Sequence, residues 1–451
     1  MKIRGYKNNF FRSSGGLKNR ATCVPLPHNS FTNMLVMKLG GASVKDADSV
    51  RNVVEILLHH SNTPNIVIIS AMHKTTNELE KLAQLAEEGD EAAAISQFEQ
   101  IKQFHVEIVN DLFGQENKKV LALLETYFLQ IQRVVEGILR LGEFPALMYD
   151  RIVAFGELLS TRIVAEYVAW ITQKCVWLDA RELVKTDMQY GQAKVIWTVT
   201  AENIVREVKP ILAANKIVIT QGFIAATLQG KTTTLGREGS DFSAAIFAYC
   251  LDAEKMIVWK DVPGVMNADP KLRKDALKME KLSYEQAVEM TFYGATVIHP
   301  KTIQPLYTKK IPLYVKSFKD MKAEGTCISA EADDQKTPIY ISKPNQIVLK
   351  ITPKDFSFMD EEQVQYVYNK IIFCGLKANI SQISAISLYV CFDNKTSLLK
   401  DMEAELLDRF KIESQSGFTL STVINFTDAD KALADFAPMV QFVGNKMCVV
   451  K

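Results

Sequence analysis

The chain has 451 residues, too many for one ordinary core, and its 47% hydrophobic and 23% charged residues describe a globular protein of two or three domains. Lys and Arg total 53 against 52 Asp and Glu, a formal charge of +1 that gives no reason to expect a nucleic-acid binder. The seven cysteines are scattered without a CxxC pair and the six histidines show no ligand spacing, which fits a reducing, cytoplasmic setting and argues against a zinc site or disulfide framework.

Residues 1–33 hold Lys2, Arg4, Lys7, Arg12, Lys18 and Arg20 and no acid. They read as a disordered basic arm, or an upstream start ahead of Met34, rather than a transit peptide, because no amphipathic helix is evident. From Met34 the pattern becomes regular. LVMKL is a strand, Gly40-Gly41 breaks it, and Val50, Val53, Val54, Leu57 and Leu58 recur at helical spacing over 46–60. NIVIIS, 65–70, closes a βαβ unit, whose crossover implies parallel strands. Residues 76–142 read as helices beside the sheet, and 152–170 as another. Strands are expected at 176–178, 216–223, 256–262 and 311–318. This alternation predicts an α/β domain over 34–330 with helices on both faces of a mainly parallel sheet.

Around 330–340 the composition changes to EADDQKTP, a linker signal. Strand 346–352, helix 359–374, strands 377–383 and 386–392, helix 396–409 and strands near 411–426 then give the order βαββαβ, a split-βαβ sandwich over 338–451. The closing MVQFVGNKMCVV reads as a lone strand that completes it. No stretch has the apolar length that spans a bilayer, so no membrane is expected.

Several segments carry chemistry. Lys38 precedes Gly40-Gly41 and Ser43 follows, at a strand-to-helix turn where backbone amides and a helix dipole suit an anion; a plain tight turn is the alternative. Gly230-Lys231-Thr232 imitates a P-loop, but Ala225 stands where the first glycine is required. TTTLGREGSD, 232–241, offers Arg237 as a planar fork for a carboxylate, with Ser240 and Asp241 at a helix start. Against this stands a helix cap at Ser240 and a surface arginine. WKDVPGVMNADPK, 259–271, mixes Asp261 and Asp269 with Lys260 and Lys271, a set suited to nucleotide phosphate and magnesium. FGELLS, 155–160, places Glu157 near an expected helix start, where a first-turn acid is also unremarkable.

Together these segments resemble the aspartate kinases of the amino-acid kinase family. KLGGASV, SAMHKTTN at 70–77, FGELLS, TTTLGREGSD, WKDVPGVMNADP and SYEQAVEMTFYGATVIHPKT at 283–302 follow the family order. The resemblance implies an ATP-dependent kinase of the L-aspartate 4-carboxylate, using Mg2+. Lys38 and Asp241 would be catalytic. Thr76, Glu157, Arg237 and Ser240 would hold aspartate, Glu157 by its ammonium. Lys38, Gly40, Gly41, Ser43, Lys260, Asp261, Met266, Lys271 and Thr296 would bind ATP. Glu238, Lys260, Met266 and Thr296 depart from the usual residues, the family often having glycine, threonine, tyrosine and lysine there. The second domain resembles a ferredoxin-like ACT domain, with a second ACT unit truncated, and implies a homodimer joined through it and an effector, lysine or threonine. A kinase for another small acid or UMP, or a weakly catalytic amino-acid sensor, are the competing readings.

Overall fold

The protein is described by a computed structural model that covers residues 33–295, 298–331, 337–434, 437 and 439–451. The basic arm ahead of Asn33, most of the linker signal and Thr296 lie outside the described residues. Asn33–Lys451 form one compact unit.

The first part of the chain runs β1 (Leu35–Leu39), α1 (Ala47–His59), β2 (Asn65–Ile69), α2 (Thr75–Glu87), α3 (Glu91–Phe113), α4 (Lys118–Leu141), α5 (Ala146–Thr172) and β3 (Cys175–Trp177). It continues through α6 (Ala180–Leu183), β4 (Lys185–Thr186), α7 (Trp197–Ala213), β5 (Ile217–Gln221), β6 (Ile224–Thr227), β7 (Thr232–Thr234), α8 (Gly239–Leu251) and β8 (Lys255–Lys260). Then come β9 (Lys281–Ser283), α9 (Tyr284–Phe292), α10 (Pro300–Lys309), β10 (Leu313–Ser317) and β11 (Thr326–Ser329).

The main sheet has the order β3-β5-β2-β1-β8-β10-β11-β9, and its six strands from β3 to β10 are mutually parallel. Their continuous apolar runs are what a sheet covered on both faces requires. Leu35, Met37 and Leu39 face a core shared with α1 and α5, while α8 packs on β1, β2 and β8. Strand order reverses at β1, with β2 on one side and β8 on the other. A crevice outside the carboxyl ends of the strands is therefore expected there, and Lys38 and Lys260 both stand at that end. A small sheet, β4-β6-β7, leads into the turn before α8.

The rest comprises β12 (Ile339–Pro353), α11 (Glu361–Phe373), β13 (Ala378–Ser384), β14 (Ser387–Asp393), α12 (Thr396–Leu406), β15 (Phe410–Ile424), β16 (Met439–Val443) and β17 (Lys446–Val450). These strands form an antiparallel sheet, β13-β14-β12-β15-β17-β16. Val367 and Ile371 of α11 and Leu399, Met402 and Leu406 of α12 bury against Leu349, Ile351, Val390 and Phe392. The expected βαββαβ order is present, with two corrections. The closing run is a hairpin of two strands rather than a lone one, because Gly444, at φ 57°, turns the chain. β12 also starts earlier than 346. Its Ile339–Lys343 segment pairs with Leu420–Ile424, whose other edge holds β17. This sheet is tied to the first part of the chain by Tyr340 N donating to Asn267 O, in the β8–β9 connection, at 2.7 Å and by an ion pair of Lys446 with Glu289 of α9 at 2.7 Å. Among the described residues no helix is long and apolar enough to cross a membrane.

Candidate active site

At the carboxyl end of β1 and β8 a cavity of about 690 Å3 brings Lys38, Asp241 and Lys260 together with Thr76, Glu157, Arg237 and Ser240. Every residue expected to be catalytic or to hold the acceptor thus lines one space. Lys38 Nζ lies 2.7 Å from Asp241 Oδ1, both side chains being largely buried. Burial pushes the Asp241 carboxyl up, but Lys38 and Lys260 outweigh it and hold the group below the usual carboxylate range. The result is an ionised acid between two lysines.

Glu157 does not start a helix. α5 begins at Ala146, after Pro145, so Glu157 sits about three turns inside it. Residues 146–151 contain no breaker, and the proline supplies the stop that the apolar pattern alone does not show. This depth buries the side chain to 3% exposure, and burial pushes its carboxyl up to about 8, opposed by the Ala71 amide and Lys38. Oε1 accepts from Ala71 N at 3.3 Å, whereas Oε2 is buried without a partner among the described residues. A buried carboxylate oxygen left so is costly unless a ligand satisfies it. The same face of α5 holds the loop after β2, since Ser160 Oγ donates to Ser70 O at 2.7 Å.

Across the cavity the TTTLGREGSD turn enters α8. Gly239 N and Asp241 N donate to Gly236 O and Glu238 O, and Ser240 N has no acceptor among the described residues. Ser240 does not cap the helix; Glu238 occupies that position. Arg237 is exposed and has no hydrogen-bond or ion partner among the described residues. Glu238 adopts φ 54°, ψ 28°, the left-handed region, which explains why glycine suits this position; a side chain there costs about 1–2 kcal/mol. Its Oε2 is buried without a hydrogen-bond partner among the described residues, at the cavity wall.

The remaining expected nucleotide residues fall elsewhere. Gly40, Gly41 and Ser43 lie at the end of β1 but outside this cavity. A Cβ on Gly41 would meet Ala71 O at 2.6 Å and His73 O at 2.9 Å, so its glycine is required by packing against that loop. Ser43 N donates to Gly40 O, while its buried hydroxyl has no partner among the described residues. Asp261 and Lys271 are exposed, Lys271 N bonding Asp269 Oδ1 at 2.9 Å, and Met266 bridges to Lys278. The sequence reading missed Ser70, Tyr149, Phe223 and Thr234, which also line the cavity. Ser70 was within reach, since it directly follows β2 and opens the SAMHKTTN segment.

The profile of the Amino acid kinase family matches residues 33–317. The chain belongs to the amino acid kinase family. Within this family it is 29% identical over 420 residues to the lysine-sensitive aspartokinase 3 of Escherichia coli, covering 89% of both chains. The crystal structure of E. coli aspartokinase III with aspartate and ADP in the R-state superposes with a TM-score of 0.80 at 25% identity, over 93% of this chain and 96% of that one. The same enzyme with lysine and aspartate in the T-state gives 0.78 at 25% identity and the same coverage.

Proposed function

We propose that this amino acid kinase is an aspartate kinase, transferring the γ-phosphoryl group of ATP to the 4-carboxylate of L-aspartate. The observation that carries the reading is the meeting, in one cavity, of the buried Glu157 Oε2 and of Arg237, neither with a hydrogen-bond partner among the described residues, beside the Lys38–Asp241 pair. An α-amino acid needs both an anionic and a cationic anchor, whereas UMP has no ammonium to offer Glu157. The solved relative binds aspartate and ADP.

The 4-carboxylate, with an ordinary pKa of about 3.9, is ionised at neutral pH and needs no general base. Its difficulty is repulsion from the anionic γ-phosphate, which alignment and cations relieve. Glu157 would take the ammonium and Arg237 the α-carboxylate, with Thr76 and Ser240 beside them. The acceptor oxygen forms a bond to γ-phosphorus as the bond to the ADP oxygen breaks, giving 4-phospho-L-aspartate. Lys38 and Lys260 meet the charge of the transferring group, and Asp241 keeps Lys38 aimed. No cluster of three His, Cys, Asp or Glu able to hold a metal occurs among the described residues. A magnesium ion carried on nucleotide phosphates needs only one or two carboxylates. Asp241, held ionised, fits that need, and the metal would neutralise phosphate charge there. Gly40, Gly41, Ser43, Asp261, Met266 and Lys271, with Thr296, are assigned to ATP on the family resemblance.

We take 34–330 as the catalytic domain and 338–451 as the ACT-type region, its second unit reduced to strands, and infer a homodimer through it with lysine as effector. The lysine-sensitive relative and the lysine-bound T-state match support that choice over threonine. Protein incubated with Mg-ATP, L-aspartate and hydroxylamine should yield aspartyl hydroxamate, with glutamate and UMP failing to compete and lysine, not threonine, inhibiting. No hydroxamate from aspartate would sink the reading.

Glu238 places a negative group beside the Arg237 anchor, and its backbone is strained. Glu238→Gly is expected to lower the aspartate KM several-fold and to stabilise the fold by about 1 kcal/mol. Steady-state kinetics and urea midpoints check both, and an unchanged KM would show that the carboxylate does not reach the anchor.

A further inference from the structure

Asp150 lies one residue after the cavity-lining Tyr149 and seven before Glu157 on α5, and it is completely buried at 0% exposure. The resemblance assigned it nothing. Its carboxylate accepts from Gly191 N at 3.0 Å through each oxygen, from Thr234 N at 2.9 Å and from Thr234 Oγ1 at 2.8 Å. No ion pair to Asp150 occurs among the described residues, so a buried charge is held by neutral donors alone. Burial drives its pKa up in spite of them. Isolated carboxylates are expensive to bury, and an asparagine would save that cost. An asparagine, however, turns one oxygen into an NH2 group that faces N–H donors.

The donors are at walls of the acceptor cavity. Gly191 belongs to the loop between β4 and α7, and Thr234 ends β7, two residues before Gly236. The loop lies on the turn: Ala193 N donates to Thr234 O at 2.9 Å, and a Cβ on Gly236, whose φ is 80°, would meet Gly191 O and Gln192 Cγ at 3.2 Å. Arg237 follows immediately. The helix that carries Glu157 is therefore bolted to the turn that carries Arg237, through one carboxylate.

We propose that Asp150 is a positioning residue that sets the distance between the two ends of the amino-acid anchor, fixing the Gly191 loop and the Thr234–Arg237 turn against α5. This rests on the aspartate kinase reading for its kinetic consequence, but not for its structural one. A misplaced Arg237 loses α-carboxylate binding, whereas Lys38 and Asp241, on β1 and α8, keep their own contact.

The test is Asp150→Asn beside Thr234→Val and wild type, read in two ways. Hydrogen–deuterium exchange without substrate should quicken in peptides covering 188–194 and 232–237 of Asp150→Asn, with the Lys38 strand unchanged. Kinetics should show the aspartate KM rising about tenfold, with kcat and the ATP KM within twofold, and Thr234→Val shifting the same way but less. Wild-type exchange in both peptides of Asp150→Asn overturns the proposal. So does a loss in which kcat and Tm fall while both KM values rise together, the mark of a general structural role. Wild type inactive on aspartate would refute the substrate, and the exchange data would still decide the role of Asp150.

Discussion

Lys38→Met is expected to lower kcat by two to three orders of magnitude while leaving the aspartate KM within a few-fold. Charge stabilisation aimed at a transferring group in a water-poor site is commonly worth that much per donor. Lys38 is placed for it at the switch point of the sheet, where the carboxyl end of β1 opens between β2 and β8. The substitution also leaves Asp241, 5% exposed at its side chain, with Lys260 as its remaining cation of the pair that holds it ionised. Breaking a buried pair costs about 3–5 kcal/mol, so loss of activity alone would be ambiguous. Lys38→Arg keeps the charge and separates the two effects: the fold should be retained and kcat should still fall, because a planar guanidinium does not replace a compact ammonium. Lys260→Thr should cost about tenfold in kcat, less than Lys38, if the cation gained at 260 shares the phosphoryl charge. Single-turnover rates with aspartate saturating measure all three. Full turnover in Lys38→Met would remove Lys38 from the chemistry.

The parts legible in the sequence were those with a strong periodic or apolar signal. LVMKL, NIVII and KMIVWK are buried on both faces and read as strands without help from tertiary contacts. The candidate site was legible as a group because dispersed motifs point to it, and Lys38, Thr76, Glu157, Arg237, Ser240 and Asp241 line one cavity. The start of α5 was not legible, since Ala146–Arg151 offers no cap and helix propensity is a weak guide to boundaries. Nor was the early start of β12 at Ile339, beside a polar linker, because pairing with a strand far along the chain overrides composition. Asp150 carries no spacing signal; only its three-dimensional donors show a purpose. The orientation of Glu238 was equally hidden, and the left-handed φ with a buried oxygen now settles that it faces inward rather than into water.

The acceptor anchor should titrate. Burial raises the Glu157 carboxyl from the usual 4.5 to about 8, so without substrate it is mostly protonated at pH 7. The substrate ammonium prefers the carboxylate, and its binding must release that proton. The aspartate KM should therefore fall about tenfold per pH unit between pH 6 and 8 and level off above 8. Glu157→Gln, which keeps the shape and cannot ionise, should raise the KM about 30- to 100-fold at pH 8 and flatten its pH dependence, since truncating one partner of a buried charge pair costs about 2–3 kcal/mol or more. Stability gives a second reading of the same group. A carboxyl whose folded pKa lies above its unfolded one contributes stability that is full below pH 4.5 and is lost as pH rises through 8. Urea midpoints without substrate should then fall for wild type between pH 5 and 8 relative to Glu157→Gln. A wild-type KM flat across this range, with Glu157→Gln binding aspartate equally well, would place the ammonium elsewhere. Agreement of the two curves on one upper break, near pH 8, would identify Glu157 as the group that senses both solvent protons and substrate.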